Sequence, residues 1–185
     1  YYRSEVEVYL SGLLEALNIR RPLLVGHSDG GTIALLFASR FPARCVGLIS
    51  EAAHVIIEEV TLQGVRNARQ AYTTTDLREK LQRYHGGNTD GVMAGWADVW
   101  LHPGMADWDM LAELEEIRCP VLVVQGENDN YGSRRQVDLI DRHVAGRSEI
   151  LWLENCGHLP HHEARPRVLE AMTAFIDSVS ETKDH

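Results

Sequence analysis

An apolar run passes directly into a serine flanked by glycines in the octapeptide Leu23-Leu24-Val25-Gly26-His27-Ser28-Asp29-Gly30. Residues 23–25 predict a short buried strand, and the mostly apolar residues 32–37 continue with helical character. A G-x-S-x-G pattern between a strand and a helix is typical of a nucleophile elbow, a sharp turn that exposes a reactive serine. The glycines are needed because the turn is cramped and its serine takes a strained backbone conformation. The pattern therefore predicts a nucleophile at Ser28.

Two later apolar strands end just before residues that can activate a serine. Asp129 follows one of these strands and His158 follows the other, which gives the chain order Ser, Asp, His that an elbow serine requires. The carboxyl ends of parallel strands meet at one edge of a sheet, so these three residues are expected to meet there. We therefore predict Ser28 as nucleophile, Asp129 as acid and His158 as base. Glu127 is the alternative acid, two residues before Asp129.

Strand-like and helix-like patterns alternate along most of the chain. This alternation predicts an α/β fold, namely a three-layer α/β/α sandwich with a mostly parallel sheet and helices on both faces. The predicted strands cover residues 23–25, 46–49, 121–124 and 150–153, and the predicted helices cover about 6–17, 32–41, 111–117, 136–144 and 167–179. In the first helix, one apolar stripe at helical spacing is predicted from Val6, Leu10, Leu13, Leu14 and Leu17.

Residues 54–110 interrupt this alternation. They are too many for a strand-to-helix connection, whose usual length is about 2–6 residues. Long insertions over an active site are typically lids, so we predict a cap at 54–110. The α/β core then comprises residues 1–53 and 111–185.

Three tryptophans fall within the predicted cap. Trp96 and Trp100 lie one turn apart if this part is helical, and Trp108 follows shortly after. An aromatic wall for the apolar part of a substrate is one interpretation, which makes these residues candidates for substrate binding. Packing of the cap against the core is an equally good alternative.

Composition excludes several classes of partner. The formal net charge of −9 argues against nucleic acid and anionic membrane surfaces. No apolar run approaches the roughly 20 residues of a membrane helix. The cysteines are odd in number and form no metal-ligand pattern, which favours reduced, buried thiols in a cytoplasmic protein.

The histidine-rich segment near His158 invites a metal site. His161, His162 and Glu163 follow that residue, but the two-histidine helical spacing of zinc proteases is not met. A solvated loop that opens the last helix is the preferred interpretation, and we predict neither a metal nor an organic cofactor. His27, inside the elbow, is interpreted as a residue packed behind the serine.

The Ser-Asp-Gly-Gly elbow and the motifs that carry Asp129 and His158 resemble the α/β-hydrolase fold family, and among its members the valacyclovir-hydrolase-type esterases. The resemblance implies that Asp129 orients the imidazole and that His158 acts as base and then as acid. It also implies that the backbone N–H of Asp29 is an oxyanion donor and that the Asp29 side chain holds the substrate's α-amino group. The family's sheet begins with several strands upstream of the elbow, whereas this sequence starts one helix before it. We therefore expect an N-terminally incomplete form of the fold, with the second oxyanion donor outside this sequence.

The resemblance implies a serine hydrolase that cleaves a small-molecule ester through an acyl-enzyme intermediate. Two alternatives stay open at this point. The same triad can hydrolyse a carbon–carbon bond, an amide or a lactone, because substrate choice does not follow from the fold. A protein with this fold can also bind a ligand without catalysis.

Overall fold

The computed structural model describes residues 1–181, and the chain separates into two compact units. Unit 1 comprises Tyr1–Val55 and the chain from Met110 onward, and unit 2 comprises Ile56–Asp109. An isolated antiparallel bridge joins Ile56 to Asp109, the two ends of unit 2. That unit 2 acts as a lid stays a prediction.

Unit 1 is built on a four-stranded parallel sheet with the order β1-β2-β3-β4. In register, Val25 pairs with Ile49, and Ile49 pairs with Leu122. The parallel sheet that the alternation predicts is therefore confirmed. The strands are β1 (Leu23–His27), β2 (Gly47–Glu51), β3 (Val121–Gly126) and β4 (Ser148–Leu153).

The helices follow the predicted alternation in unit 1 and form most of unit 2. They are α1 (2–16), α2 (Asp29–Arg40), α3 (Glu59–Thr74), α4 (Leu77–His85), α5 (Thr89–Trp100), α6 (Leu111–Leu114), α7 (Arg134–His143), α8 (Pro160–Glu163) and α9 (Arg165–Glu181), with short 3₁₀ turns at Gly86–Asn88 and Pro103–Met105.

Helices cover both faces of the sheet in unit 1. Leu24 packs against a cluster that contains Phe37 of α2 and Val6 of α1. The preceding residue, Leu23, packs against a cluster that contains Phe175 of α9. Successive side chains of a strand point to opposite faces, so α1 and α2 lie on one face and α9 on the other. The predicted three-layer α/β/α arrangement is confirmed.

Two features of the first 25 residues differ from the prediction. Val25 is 57% exposed rather than buried, because β1 has a neighbouring strand on one side only within the described sheet. In α1, Val6 and Leu14 are buried, but Leu13 and Leu17 are exposed. The segment Glu5–Leu10 is π-helical, and its wider turn rotates the following residues away from a single apolar stripe.

The cysteines are buried and free, with no disulfide among residues 1–181. Over the same residues, no helix combines the length and the apolar character needed to cross a membrane. The cytoplasmic location stays a prediction.

Close backbone packing at the elbow depends on Gly26 and Gly31. A Cβ atom at Gly26 would lie 2.1 Å from the carbonyl oxygen of Gly30, and one at Gly31 would lie 2.9 Å from the Cβ atom of Ala53. A Cβ atom at Gly30 would meet nothing within 4 Å. The expectation that the glycines on either side of the serine are needed is therefore right for Gly26 and wrong for Gly30, because the tight contact falls on Gly31 instead.

Substitution at these glycines tests the packing. We expect Gly26→Ala to lower the free energy of unfolding by about 3 kcal/mol or more, because backbone atoms must move to admit the methyl group. We expect Gly30→Ala to change it by no more than about 1 kcal/mol, since this position lies in a helix and has open space. Urea denaturation of the two variants measures both values, and equal losses would contradict the argument.

Candidate active site

Ser28 lies at the junction between β1 and α2 with a backbone conformation that L-residues rarely adopt. Its φ is +55° and its ψ is −122°. Its N–H donates to the carbonyl oxygen of Glu51 at 2.8 Å, and its own carbonyl accepts from the amides of Gly31 and Thr32. The strained backbone that the elbow motif predicts is present, and hydrogen bonds on both sides hold it.

The structure brings Ser28, Asp129 and His158 together. The Nε2 atom of His158 lies 3.1 Å from Ser28 Oγ. The Nδ1 atom lies 2.9 Å from Asp129 Oδ2 and 3.0 Å from Oδ1. Because an ionised carboxylate can only accept, Nδ1 carries the ring proton, and Nε2 accepts from the Ser28 hydroxyl. This is the geometry in which a histidine can take a proton from a serine.

Buried donors surround the carboxylate of Asp129, whose side chain has no solvent exposure. Gln125 Nε2 donates to Oδ2 at 2.7 Å, and the amide of Tyr131 donates to Oδ1 at 2.8 Å. Burial by itself raises the pKa of Asp129, but the hydrogen bonds and the charge interaction with His158 outweigh it, so the pKa lies below its usual range. The carboxylate is therefore ionised at neutral pH. Gln125 was not among the residues that the sequence pattern indicated.

Glu127, the alternative acid, does not contact His158. It is exposed, and its Oε2 atom accepts only a long, 3.5 Å hydrogen bond from the amide of Asn155. Asp129 is the carboxylate that holds the imidazole.

Two further histidines and a tyrosine lie around the ring of His158. His27 Nε2 lies 2.7 Å from the carbonyl oxygen of His158, and His54 Nε2 lies 3.2 Å from that of Tyr131. The Tyr131 ring packs 4.6 Å from the His158 ring. Burial lowers the pKa of both His27 and His54. The sequence pattern did not indicate His54 or Tyr131, although His54 follows a predicted strand as Asp129 and His158 do.

The buried carboxylate of Glu51 at the end of β2 is another functional group that the sequence pattern did not indicate. It accepts hydrogen bonds from the backbone amide and the Nδ1 atom of His161, at 2.7 and 2.9 Å. Glu163 accepts hydrogen bonds from two backbone amides of the same loop.

Within residues 1–181, no three side chains of the metal-ligating types form a group that could hold an ion.

Asp29 is the first residue of α2, directly after the serine. Amides in the first turn of a helix have no partner within the helix, and they favour negative charge. The Asp29 carboxylate accepts a hydrogen bond from the Tyr2 hydroxyl at 2.7 Å. Burial, together with the charge of Asp29, raises the pKa of Tyr2, so its hydroxyl stays protonated. The roles of Asp29 in holding an oxyanion and an amino group stay predictions.

The three tryptophans of the predicted cap lie in unit 2 in different surroundings. Trp100 is only 4% exposed, whereas Trp96 and Trp108 are half-buried. Trp96 lines an apolar cavity of about 290 Å³ together with Leu81 and Met93. Their part in substrate binding stays a prediction.

The α/β hydrolases are defined by a mostly parallel sheet and by a serine on a strained strand-to-helix turn. An aspartate and a histidine follow later strands of that sheet. A family model described as the alpha/beta hydrolase family matches residues 2–171. The chain belongs to this family.

Named relatives are hydrolases of several kinds. The chain is 26% identical to the serine hydrolase BPHL of Homo sapiens over 144 aligned positions, covering 72% of this chain and 47% of that protein. It is 30% identical to the 2-hydroxy-6-oxo-2,4-heptadienoate hydrolase of Pseudomonas putida over 195 aligned positions, covering 91% of this chain and 68% of the relative. The chain thus spans about half the length of the human relative.

Solved structures share the fold. The crystal structure of a membrane phospholipase A superimposes with a TM-score of 0.78 at 22% identity, covering 97% of this chain and 64% of that chain. The meta-cleavage product hydrolase CumD of Pseudomonas fluorescens superimposes with a TM-score of 0.67 at 16% identity, covering 96% of this chain and 72% of that chain.

Replacement of Asp129 tests its ionisation. A carboxylate whose pKa is lower in the folded than in the unfolded protein stabilises the fold above its unfolded pKa of about 3.9 and loses this effect as the pH falls through the folded value. Asp129→Asn lacks this titration. We therefore expect the wild-type free energy of unfolding, minus that of the variant, to be constant near neutral pH and to decrease below about pH 4.

Urea denaturation of both proteins between about pH 3 and pH 7 measures this difference. Glu127→Gln is the matched control, because it removes an exposed carboxylate from the same loop without touching the pair of Asp129 and His158. A difference for Asp129→Asn that stays constant to pH 3 would contradict the lowered pKa.

Proposed function

We propose that this protein is a serine hydrolase that cleaves a small ester, with Ser28 as nucleophile, His158 as general base and Asp129 as the orienting acid. The observation that supports it is one unbroken line of hydrogen bonds. It runs from Ser28 Oγ to His158 Nε2 at 3.1 Å, and from His158 Nδ1 to the buried Asp129 carboxylate at 2.9 Å. A serine hydroxyl becomes a strong nucleophile when such a base removes its proton.

The reaction proceeds in two halves. Ser28 Oγ attacks the ester carbonyl carbon while its proton moves to His158 Nε2, and the Asp129 anion stabilises the imidazolium. The tetrahedral oxyanion accepts a hydrogen bond from the Asp29 amide. Its collapse breaks the ester C–O bond, and His158 gives its proton to the departing alcohol. Water, deprotonated by His158, then attacks the acyl-enzyme, which releases the acid and restores the Ser28 hydroxyl.

The Asp29 side chain would select substrates with a cationic α-amino group. The resemblance to valacyclovir-hydrolase-type esterases implies this role, and the position of Asp29 directly after the nucleophile supports it. Tyr2 donates to Oδ1, so Oδ2 is the atom that would meet the ammonium. The proposal also keeps Trp96, Trp100 and Trp108 as residues that bind the apolar part of the substrate.

A second candidate function comes from the 30%-identical relative that is named a 2-hydroxy-6-oxo-2,4-heptadienoate hydrolase. A 2-hydroxy-6-oxo-dienoate contains no ester, so its hydrolysis must break a carbon–carbon bond. The same three residues would serve, and turnover of such a dienoate in place of esters would favour this candidate.

The nucleophile is tested with a fluorophosphonate, which forms a covalent bond with an activated serine. We expect intact-mass analysis to find a single adduct that maps to Ser28, and we expect Ser28→Ala to abolish both the adduct and ester turnover. Ser180→Ala is the matched control, since the exposed Ser180 hydroxyl donates to the carbonyl of Ile176 within its own helix.

Full hydrolytic activity in Ser28→Ala would contradict the mechanism. The mechanism predicts that Ser28→Ala loses turnover and keeps its affinity for the ligand. An unlabelled wild-type protein that still binds ester ligands would instead indicate a non-catalytic binding protein.

The Asp29 side chain is tested by Asp29→Asn, which keeps the backbone N–H and removes the charge. We expect kcat/KM for an α-amino ester to fall about 10- to 100-fold, because a hydrogen bond to a charged group contributes about that factor to binding. The value for the deamino analogue should be nearly unaffected, and Glu170→Gln controls for the loss of a surface charge. Equal changes in kcat/KM for the two esters would contradict recognition of the amino group by Asp29.

A further inference from the structure

The backbone of residues 157–159, which carries the base, is held by side chains at three successive positions. We propose that Glu163 and His27 are positioning residues that fix the main chain of His158, so that its ring reaches Ser28 and Asp129 at the same time. This inference rests on the proposed function for its kinetic part, and on the loop geometry for the rest.

Glu163 bridges the two amides on either side of His158. Its Oε2 atom accepts from the amide of Gly157 at 2.7 Å, and its Oε1 atom accepts from the amide of Leu159 at 3.1 Å. Both oxygens are thus used, and each bond is strengthened by the carboxylate charge. A Cβ atom at Gly157 would lie 3.1 Å from both oxygens, so the absence of a side chain there lets the carboxylate approach.

His27 holds the remaining backbone group of the loop. A carbonyl oxygen can only accept, so the protonated Nε2 of His27 donates a hydrogen bond to the carbonyl of His158 at 2.7 Å. His27 lies directly before Ser28. The turn that carries the nucleophile is therefore hydrogen-bonded to the segment that carries the base. His27 is therefore more than a residue packed behind the serine.

A second carboxylate–histidine pair supports the ring of His27. The His161 ring meets it edge-on, with ring centroids 5.0 Å apart. His161 is itself fixed, because its amide and its Nδ1 atom both bond to the buried carboxylate of Glu51. The loop is therefore tied to the ends of both β1 and β2.

This arrangement matters because the His158 ring must satisfy two distances together, 3.1 Å to Ser28 Oγ and 2.9 Å to Asp129. A misplacement of about 1 Å in a catalytic group can cost about 100-fold in rate. Fixing the main chain leaves only the side-chain torsions to be set, and the bond to Asp129 sets those.

The kinetic test compares Glu163→Gln and Glu163→Ala with the control Glu154→Gln, which removes an exposed carboxylate from the same segment. We expect Glu163→Ala to lower kcat about 10- to 100-fold with little change in KM, because both oxygens of Glu163 bond to the backbone that carries the base. Glu163→Gln should fall between, since it keeps one acceptor oxygen and turns an amide donor towards the other N–H. A higher KM for Glu163→Ala with an unchanged kcat would overturn the proposal.

Amide hydrogen exchange supplies a readout that needs no turnover. We expect the amides of Gly157 and Leu159 to exchange about tenfold faster or more in Glu163→Ala, and to be unchanged in Glu154→Gln. Unchanged exchange in Glu163→Ala would overturn the proposal. If the wild type shows no hydrolysis but this exchange pattern holds, the proposed function fails while the positioning of the loop stands.

His27 is tested by rescue. Glutamine can place an amide N–H where the His27 Nε2–H lies, whereas leucine cannot donate. We expect His27→Leu to lower the rate of fluorophosphonate labelling about tenfold or more, and His27→Gln to restore most of it. Equal losses in the two variants would show that the bond to the His158 carbonyl does not position the base.

Discussion

The hydrogen bond from the Ser28 amide to the carbonyl of Glu51 is the contact on which the site depends. It ties the turn after β1 to the last residue of β2 while Ser28 keeps its φ of +55°. The side chain of the same glutamate bonds to His161, in the segment that follows the base. Glu51 therefore links the nucleophile's turn to the base's loop, through its backbone on one side and its carboxylate on the other.

The acid and the base are joined in a different way, by two adjacent strands. Gly126 pairs with Leu153 at the ends of β3 and β4, so the loops that follow run side by side. The amide of Asn128 donates to the carbonyl of Cys156 at 2.8 Å, which connects these loops through their backbones. The Asp129–His158 pair is thus positioned by two neighbouring strands. Ser28 follows β1, which β2 separates from β3 in the sheet.

Strand ends explain how much of the site could be predicted. Ser28, Asp129 and His158 each follow an apolar run, and parallel strands bring their carboxyl ends to one edge, so the sequence alone predicts their meeting. Gln125 and Glu51 lie within strands, where a polar residue gives no sign of the loop it will contact. The exposure of Val25 depends on which strands neighbour β1, and the π-helical turn in α1 leaves no mark in the apolar spacing.

The charge state of the surrounding histidines favours the proposed chemistry. Burial is the main cause that lowers the pKa of His27 and of His54, and charge interaction with His158 acts in the same direction on both. The hydrogen bond from His27 to the His158 carbonyl acts in the opposite direction but does not outweigh burial. Both rings are therefore neutral at neutral pH. If either were cationic, it would oppose the positive charge that His158 gains when it takes the serine proton, since like charges at such distances raise the cost of ionisation. A neutral His27 still donates from Nε2 to the His158 carbonyl, so it can hold the base without competing with it for charge.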